Sequence, residues 1–326
     1  MSHFPANIKL LLSLAARSSS PQMVELLIKS GTNINVLDES GNAPIHWAVI
    51  GEHLDVLNCL IENGADINFR NKDLRLALHL AIYNQNSEII NLLLNKGSEI
   101  DIYASVMLGK IDIINKFINE GFDVNKPYTN LGEYPIADAI HFQQIDTIKF
   151  LLQVGANINT VLTRSGDYVL HLYGAVKNIE IFNLLVSSRA DIHSKNNRGY
   201  TPLHVAARSS CFDTVKKLVE MGADINAIGE NGNTPLWEAA YSQNQQTIEY
   251  LLLSGANVNV IGELGKTPLI AAQHRRGGLA AAQTLVAHGA DVNAVDQRGI
   301  SAIHIATAQG NYELVRLLID HGANIL

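Results

Sequence analysis

The stretch GADIN at residues 64–68 follows a predicted helix and recurs along most of the chain. Its variants stand at residues 31–35, 97–101, 121–125, 155–159, 189–193, 222–226, 255–259, 289–293 and 322–325. The spacing is about 33 residues, with one shorter interval. A fixed period of that length is typical of an array of small helical units and not of one globular core. Such arrays present a long surface, so the period favours binding over catalysis.

A second motif precedes these stretches. TPLH at residues 201–204 shows it in full, and variants stand at 43–46, 76–79, 168–171, 234–237, 267–270 and 301–304. Threonine is a favoured N-cap and proline is tolerated in the first turn, so the motif predicts the start of a short helix. An apolar second helix follows, and glycines such as Gly222 are predicted to end it in a left-handed conformation. Asp-x-x-Gly segments at 38–41 and 296–299 predict tight turns at the tips of short β-hairpins.

With these two motifs the chain resembles the ankyrin-repeat family over essentially all of its 326 residues. The resemblance implies an α-dominated repeat solenoid of about ten units, each a helix pair with a short β-hairpin, in one curved stack. We expect a capping repeat at 1–41, two repeats at 42–101, a shortened repeat without its hairpin at 102–132 and the remaining repeats at 133–326.

The composition limits the classes of partner. The formal net charge of −7 argues against nucleic acid or an anionic membrane as the main partner. No apolar run approaches the length of a membrane span, so we expect no membrane insertion. Cys59 and Cys211 lie in separate units, and two lone cysteines favour a reducing compartment. We therefore expect a cytoplasmic protein, or one delivered into a host cell if its source is microbial.

Three departures from the repeat predict local differences. The interval from Gly97 to Gly121 is about nine residues short, and the residues missing are those of a hairpin. In the next irregular unit, Tyr173 replaces a small residue and Arg189 replaces the glycine that ends a helix. The short junction and this unit are expected to be the least stable part of the array. The last unit keeps an apolar second helix, so its end face either stays partly exposed or is covered by a partner, by a further segment or by self-association.

Histidines recur at the repeat period and invite a metal or catalytic interpretation. They are His46, His79, His171, His204 and His304. They stand a full unit apart, too far to share a metal ion, and a turn imidazole can bridge a hydroxyl group and neighbouring backbone. The sequence has no metalloprotease, phosphate-loop or nucleophile-elbow motif. We expect structural histidines, no catalytic or metal-binding residues and no cofactor; an enzyme with an unfamiliar site is the remote alternative.

The family resemblance places partner contacts at the hairpin tips and at the exposed ends of the first helices. In regular repeats those ends are polar, but here several are apolar. The candidates are Ile50, Tyr83, Met107, Leu108, Phe142 and Val176. In a contiguous patch they would mark an interaction site; packing around the missing hairpin is the alternative. Later in the chain Arg208, Tyr241 and Arg275 supply residue types that are enriched at binding hot spots, unless they form a solvated face without a partner.

The expected function is protein–protein recognition through the concave face, as a scaffold or adaptor for a protein partner. The alternative is an effector-type inhibitor that occludes a partner enzyme. The resemblance also raises hydroxylation of Asn68, Asn226 and Asn293, a modification known in the family. A role in holding the turn is favoured for these asparagines, because every repeat needs that turn.

Overall fold

The computed structural model describes residues 8–128, 132–172, 177–274 and 278–325. The chain divides into two compact units, Met1–Leu151 and Leu152–Leu326. In both units the described residues form short helices joined by tight turns, as an α-dominated repeat solenoid requires. The helices alternate between a first helix, which in most repeats opens with a TPLH-type motif, and a second helix, which ends at a GADIN-type motif.

In the described residues of the first unit, five first helices pack on one another in sequence, and each is followed by its second helix. Their bounds are α1 (Ile8–Arg17), α2 (Pro21–Lys29), α3 (Pro44–Ile50), α4 (Leu54–Glu62), α5 (Ala77–Tyr83), α6 (Ser87–Asn95), α7 (Ile102–Met107), α8 (Ile111–Asn119), α9 (Pro135–His141) and α10 (Ile145–Gln153), which begins in this unit.

In the described residues of the second unit the pattern continues with α11 (Ile179–Ser187), α12 (Pro202–Arg208), α13 (Phe212–Glu220), α14 (Pro235–Tyr241), α15 (Gln245–Leu253), α16 (Pro268–Ala271), α17 (Leu279–Ala287), α18 (Ala302–Ala308) and α19 (Tyr312–Asp320). Single 3-10 turns stand at Val169–His171, Glu230–Gly232 and Glu263–Gly265.

The first helices start where the TPLH-type motif predicts. In α14 the side chain of Thr234 caps the helix by accepting a hydrogen bond of 3.3 Å from the Trp237 N–H. Ala43 and Leu76 have no side-chain acceptor, yet α3 and α5 begin beside them. There the histidine three residues on reaches back: His46 Nδ1 accepts from the Ala43 N–H at 3.1 Å, and His79 Nδ1 accepts from the Leu76 N–H at 3.0 Å. The imidazole therefore satisfies a backbone donor that would otherwise be unpaired.

Positive backbone φ angles end the second helices. Gly222 has φ 87°, which confirms the left-handed conformation predicted for it. Arg189 adopts the same conformation with φ 69°, although it carries a side chain. Tyr173, the other irregular residue of that repeat, lies outside the described residues.

The predicted β-hairpins are reduced to turns. The Asp38 N–H donates to the Asn42 carbonyl at 3.1 Å, and the Gly41 N–H donates to the Asp38 carbonyl at 3.0 Å. These two bonds close the turn, and too few residues follow for a strand ladder. In the part of the chain that the structure describes, the one β-bridge joins Val295 and Ser301, and no extended strand forms. The short hairpins are therefore present as tight turns, without extended strands in the described residues.

In the shortened repeat, the described residues between α6 and α7 leave no room for a finger. Helix α6 ends at Asn95 and α7 begins at Ile102. Asp101 is the last residue of the GADIN-type stretch and also the N-cap of α7, since its Oδ1 accepts from the Ala104 N–H at 2.9 Å. One residue therefore ends one repeat and opens the next.

Candidate functional site

The ends of α3, α5, α7 and α9 form the surface that we call the first-helix face. Ile50 is 40% exposed at the end of α3, and Tyr83, Leu108 and Phe142 are partly exposed at the other three ends. Met107 is only 1% exposed. The expectation that Met107 contributes to a surface row is therefore wrong, because its side chain is buried in the hydrophobic core. The other four residues stay available to a partner.

Tyr83 stands at the centre of this face and is held from several sides. The ring of Phe142 meets it edge-on with centroids 5.1 Å apart, and the guanidinium of Arg75 lies 4.7 Å from its centroid. Its hydroxyl group lies 2.5 Å from the hydroxyl of Tyr103 and 3.2 Å from Glu133 Oε1. A ring fixed on its face, edge and hydroxyl loses little conformational freedom when a partner binds to it.

Tyr83 belongs to a group of partly or fully buried polar side chains that we call the acid–tyrosine cluster. Its members are Arg75, Tyr83, Tyr103, Tyr128, Glu133 and Asp138. Arg75 Nη2 donates to Glu133 Oε1 at 2.7 Å, and the Tyr128 hydroxyl donates to Asp138 Oδ2 at 2.6 Å. Asp138 is 6% exposed. Sequence reasoning missed this carboxylate, although an acid where the matching repeat positions carry Leu80 and Val205 was an available signal; Glu238 stands at the same position of α14.

The electrostatics of the cluster follow from its burial. Burial raises the pKa of Asp138 to about 7; the hydrogen bond from Tyr128 opposes the rise and the nearby Glu133 carboxylate adds to it. Burial likewise raises the pKa values of Tyr83, Tyr103 and Tyr128, so all three phenols keep their protons near neutrality. The charge of Asp138 can thus change near pH 7.

Asp101 takes the place of the missing finger. In regular repeats the histidine Nε2–H donates to a carbonyl of the next turn, as His46 does to Arg75 at 3.1 Å. His79 has no such turn beside it, and its Nε2 lies 2.9 Å from Asp101 Oδ1. Arg70 Nη1 lies 2.9 Å from the second carboxylate oxygen. Burial alone would raise the pKa of Asp101, but the bonds from His79, Ala104 and Arg70 outweigh it and lower the pKa to about 2.

His204 and His171, two more of the TPLH-type histidines, are bonded as the sequence predicts. His204 is fully buried; its Nδ1 lies 3.1 Å from the Thr201 nitrogen and its Nε2 lies 3.2 Å from the Asn233 carbonyl oxygen. His171 Nε2 similarly reaches the Tyr200 carbonyl at 2.8 Å. Both ring nitrogens are used by the backbone, which confirms a structural environment at the junction of repeats. Among the described residues no three His, Cys, Asp or Glu side chains are grouped so that they could hold a metal ion.

In the second unit, Arg208 and Tyr241 lie together at the ends of α12 and α14. The Arg208 guanidinium is 5.7 Å from the Tyr241 ring centroid, and the Tyr241 hydroxyl lies 2.9 Å from His274 Nε2. Arg208 Nη1 also lies 3.5 Å from Oε2 of Glu238, a fully buried carboxylate that the sequence analysis did not single out. The candidates Val176 and Arg275 lie outside the described residues.

The asparagines of the GADIN-type stretches tie each repeat to the next. Asn226 Oδ1 accepts from the Asn257 N–H at 2.9 Å, and its Nδ2 donates to the Gly255 carbonyl at 3.2 Å. Asn259 and Asn293 make the same two bonds one and two repeats on. This arrangement favours the structural interpretation of these asparagines, because both ends of each amide are engaged.

Two further observations bear on the class of protein. Cys59 and Cys211 are both free thiols. Within the described part of the chain, no helix has the length and apolar character that crossing a membrane demands.

Comparison with known proteins agrees with this architecture. A family model described as "Ankyrin repeats (3 copies)" matches residues 12–104, 170–262 and 253–326, which is well over half of the chain. Similar curated proteins include the B-cell lymphoma 3 protein homolog of Mus musculus, 30% identical over 205 residues, which are 63% of this chain and 41% of that protein.

Two shorter matches add to this comparison. "Ankyrin repeat and SOCS box protein 5" of Oryctolagus cuniculus is 32% identical over 107 residues, 33% of this chain and 32% of that protein. Alpha-latrocrustotoxin-Lt1a of Latrodectus tredecimguttatus is 27% identical over 108 residues, 33% of this chain and 8% of the toxin. The chain thus matches less than half the length of each of these relatives. Its repeated motifs, helix pairs and family match lead to one conclusion: the chain belongs to the ankyrin-repeat family.

Proposed function

We propose that this chain is a scaffold or adaptor that binds a partner protein through the first-helix face around Tyr83. Ankyrin repeats are in general protein–protein interaction modules, so binding is the function that the family supports. The observation that carries the proposal is the contact between Tyr83 at the end of α5 and Phe142 at the end of α9, two partly exposed rings with centroids 5.1 Å apart. We further propose that the protein works in the cytoplasm, where its free thiols stay reduced.

The chemistry of this face supports a protein partner. Ile50, Leu108 and Phe142 offer apolar surface, while Tyr83 adds an aromatic ring whose hydroxyl is already satisfied. Aromatic residues that are rigid before binding are typical anchors of protein interfaces. Arg208 and Tyr241 supply a second candidate contact in the other unit, of more polar character.

Affinity capture from a cytoplasmic extract tests the proposal. Three proteins serve as bait: the wild type, a double variant with Ile50→Ala and Phe142→Ala, and a control variant, Leu26→Ala. The control removes a side chain of α2 that is 68% exposed and lies outside the first-helix face. We expect the double variant to bind the captured protein on the order of 2 kcal/mol more weakly and the control to bind it as the wild type does. Equal capture by all three, at equal melting temperature, would reject the first-helix face as the binding site.

The same experiment separates the two modes of action. If the captured protein is an enzyme, its activity is measured with and without the bound chain. Unchanged activity supports a scaffold or adaptor, whereas loss of activity supports an inhibitor that occludes the enzyme. Self-association through the end face of α18 and α19, where Ile319 is 46% exposed, is tested by the dependence of molar mass on concentration.

A further inference from the structure

The acid–tyrosine cluster contains more negative than positive groups. Glu133 and Asp138 are both carboxylic acids, while Arg75 is the one cation whose head group the described structure places among them. Arg75 Nη2 is bonded to Glu133 at 2.7 Å, whereas the hydrogen bond of 2.6 Å to Asp138 comes from the neutral hydroxyl of Tyr128. A carboxylate that is 6% exposed and without its own cation is costly to ionise, so burial favours its protonated form.

Each segment packed around Asp138 within the first unit contributes a polar or charged group. Tyr128 and Glu133 flank residues 129–131, Tyr83 belongs to α5, and Tyr103 belongs to α7. Arg75 comes from the turn before α5. On α9 itself, His141 is exposed, and its ring lies 6.1 Å from the ring of Tyr83. Since the three phenols stay neutral and Arg75 stays charged, the charge of the cluster near neutrality is set by its acids.

The Glu133 carboxylate, whose charge acts on Asp138, is joined to the surface by a chain of contacts. Glu133 binds Arg75, the Arg75 guanidinium lies over the face of Tyr83 at 4.7 Å, and Tyr83 packs against Phe142. Glu133 also accepts from the Tyr83 hydroxyl at 3.2 Å. A second negative charge at Asp138 repels the Glu133 carboxylate and competes with it for Arg75. The groups that hold Tyr83 in place are therefore the groups that feel the charge of Asp138.

We propose that Asp138 makes the first-helix face responsive to pH, closed around Tyr83 when its carboxyl group is protonated and loosened when that group is ionised. This regulation rests on the function proposed above, because it acts on the face assigned to the partner. The sign follows from linkage: a buried acid that holds its proton more tightly in the closed state stabilises that state at low pH. The closed state is then lost as the pH rises through neutrality.

Hydrogen exchange of the wild-type protein at pH 6 and pH 8 tests the loosening without any partner. Protection factors, which are intrinsic exchange rates divided by measured ones at the same pH, are compared for α5 and α9. With Asp138 titrating at about 7 when closed and near 4 when open, linkage predicts about tenfold lower protection at pH 8 than at pH 6. Equal protection at the two pH values would overturn the proposal.

Two variants make the test specific to this residue. Asp138→Asn has no proton to lose, so its protection in α5 and α9 is expected to be independent of pH. The control Asp112→Asn removes an exposed carboxylate of α8 and is expected to keep the tenfold change. If Asp138→Asn retains that change as well, the proposal is wrong.

An NMR titration of the carboxyl carbons in the wild type covers the case in which Asp138→Asn does not fold. A midpoint for Asp138 near 7 supports the proposal, and a midpoint near the ordinary value of about 4 overturns it. These readouts do not involve the partner. If the exchange changes with pH as expected but the face variants capture the partner normally, the proposed binding site alone has failed.

Discussion

Arg75 and Glu133 are separated by 58 residues in the sequence and meet with 2.7 Å between Nη2 and Oε1. Arg75 ends the turn before α5, and Glu133 precedes α9, so a complete repeat lies between them. In a regular array the finger of that repeat would stand between the two side chains. Its absence lets them bond directly, so the ion pair spans the place of the missing finger.

Breaking this pair should cost more than breaking an exposed one. The side chains of Arg75 and Glu133 are 16% and 23% exposed, so removal of Arg75 leaves a poorly hydrated carboxylate. We expect Arg75→Ala to lower the free energy of unfolding by about 2 kcal/mol. Lys116→Ala removes an exposed pair with Glu120 and should change it by less than about 0.5 kcal/mol. Urea titration of both variants measures the difference, and equal effects would contradict the bridging role.

The sequence was sufficient to predict the regular part of the molecule. A period of about 33 residues and the TPLH-type motif predict helix pairs, turns and the structural histidines, because each depends on contacts within one repeat or with its neighbour. The shortened interval also predicts the absent finger. The described residues form no extended strands beside the turns. Each turn is closed by few backbone hydrogen bonds, as at residues 38–42.

The candidate site was predicted less well. The sequence placed Tyr83 and Phe142 at helix ends. It did not indicate the burial of Met107, because one residue along a helix turns a side chain by about 100° from surface to core. The pairing of Arg75 with Glu133 depends on how the chain closes around a deletion. No local pattern encodes that contact, so only the structure reveals it.

A second prediction concerns Asp101, which accepts hydrogen bonds from His79, Arg70 and the Ala104 N–H. Asp101→Ala removes the helix cap and the acceptor for both side chains, and should destabilise the protein by about 3 kcal/mol. Asp101→Asn keeps one carbonyl oxygen for the cap and for His79, so a smaller loss is expected. Thermal unfolding of the two variants gives the order; a reversed order would show that the carboxylate is not the acceptor that replaces the finger.

The low pKa of Asp101 also predicts a pH dependence. Because the folded-state pKa is about 2 and the unfolded value is about 3.9, the stability from this carboxylate is fully present above pH 4. It is lost as the pH falls through 2. The wild type should therefore lose more stability between pH 4 and pH 2 than Asp101→Asn does. Acid unfolding of the two proteins is followed by circular dichroism. An equal loss of stability in both would contradict the low pKa assigned to Asp101.

A third prediction concerns His204. Burial lowers the pKa of His204 to about 4, below the unfolded value of about 6.5, so the unfolded chain binds a proton more readily. Stability should thus fall as the pH drops from 6.5 towards 4, and His204→Ala should show less of that fall. The variant should also be about 2 kcal/mol less stable at pH 7, since it loses bonds to Thr201 and Asn233. Stoichiometric zinc that disappears in this variant would instead indicate a metal ligand.

His193 provides the matched control for that experiment. It is exposed, and its side chain makes no hydrogen bond among the described residues. It occupies the position at which Asn226 and Asn259 tie neighbouring repeats together. His193→Ala should leave the stability at pH 7 nearly unchanged. A loss as large as that of His204→Ala would mean that the imidazole contributes through contacts other than hydrogen bonds.

The last prediction concerns the irregular repeat that ends at Arg189. The residue has φ 69°, where a side chain costs about 1 kcal/mol relative to glycine. Arg189→Gly should therefore raise the free energy of unfolding by about 1 kcal/mol, and it keeps the backbone carbonyl that accepts from Asn159 Nδ2 at 3.1 Å. Gly222, with φ 87° at the matching position, supplies the reverse test, because Gly222→Arg should destabilise the protein by a similar amount.

Hydrogen exchange should also slow around α11 in Arg189→Gly. If exchange around α11 is unchanged while global stability rises, the backbone strain at Arg189 does not control local opening of this repeat. The better explanation is then His193, which lacks the bonds to the next repeat that Asn226 and Asn259 make at the matching position.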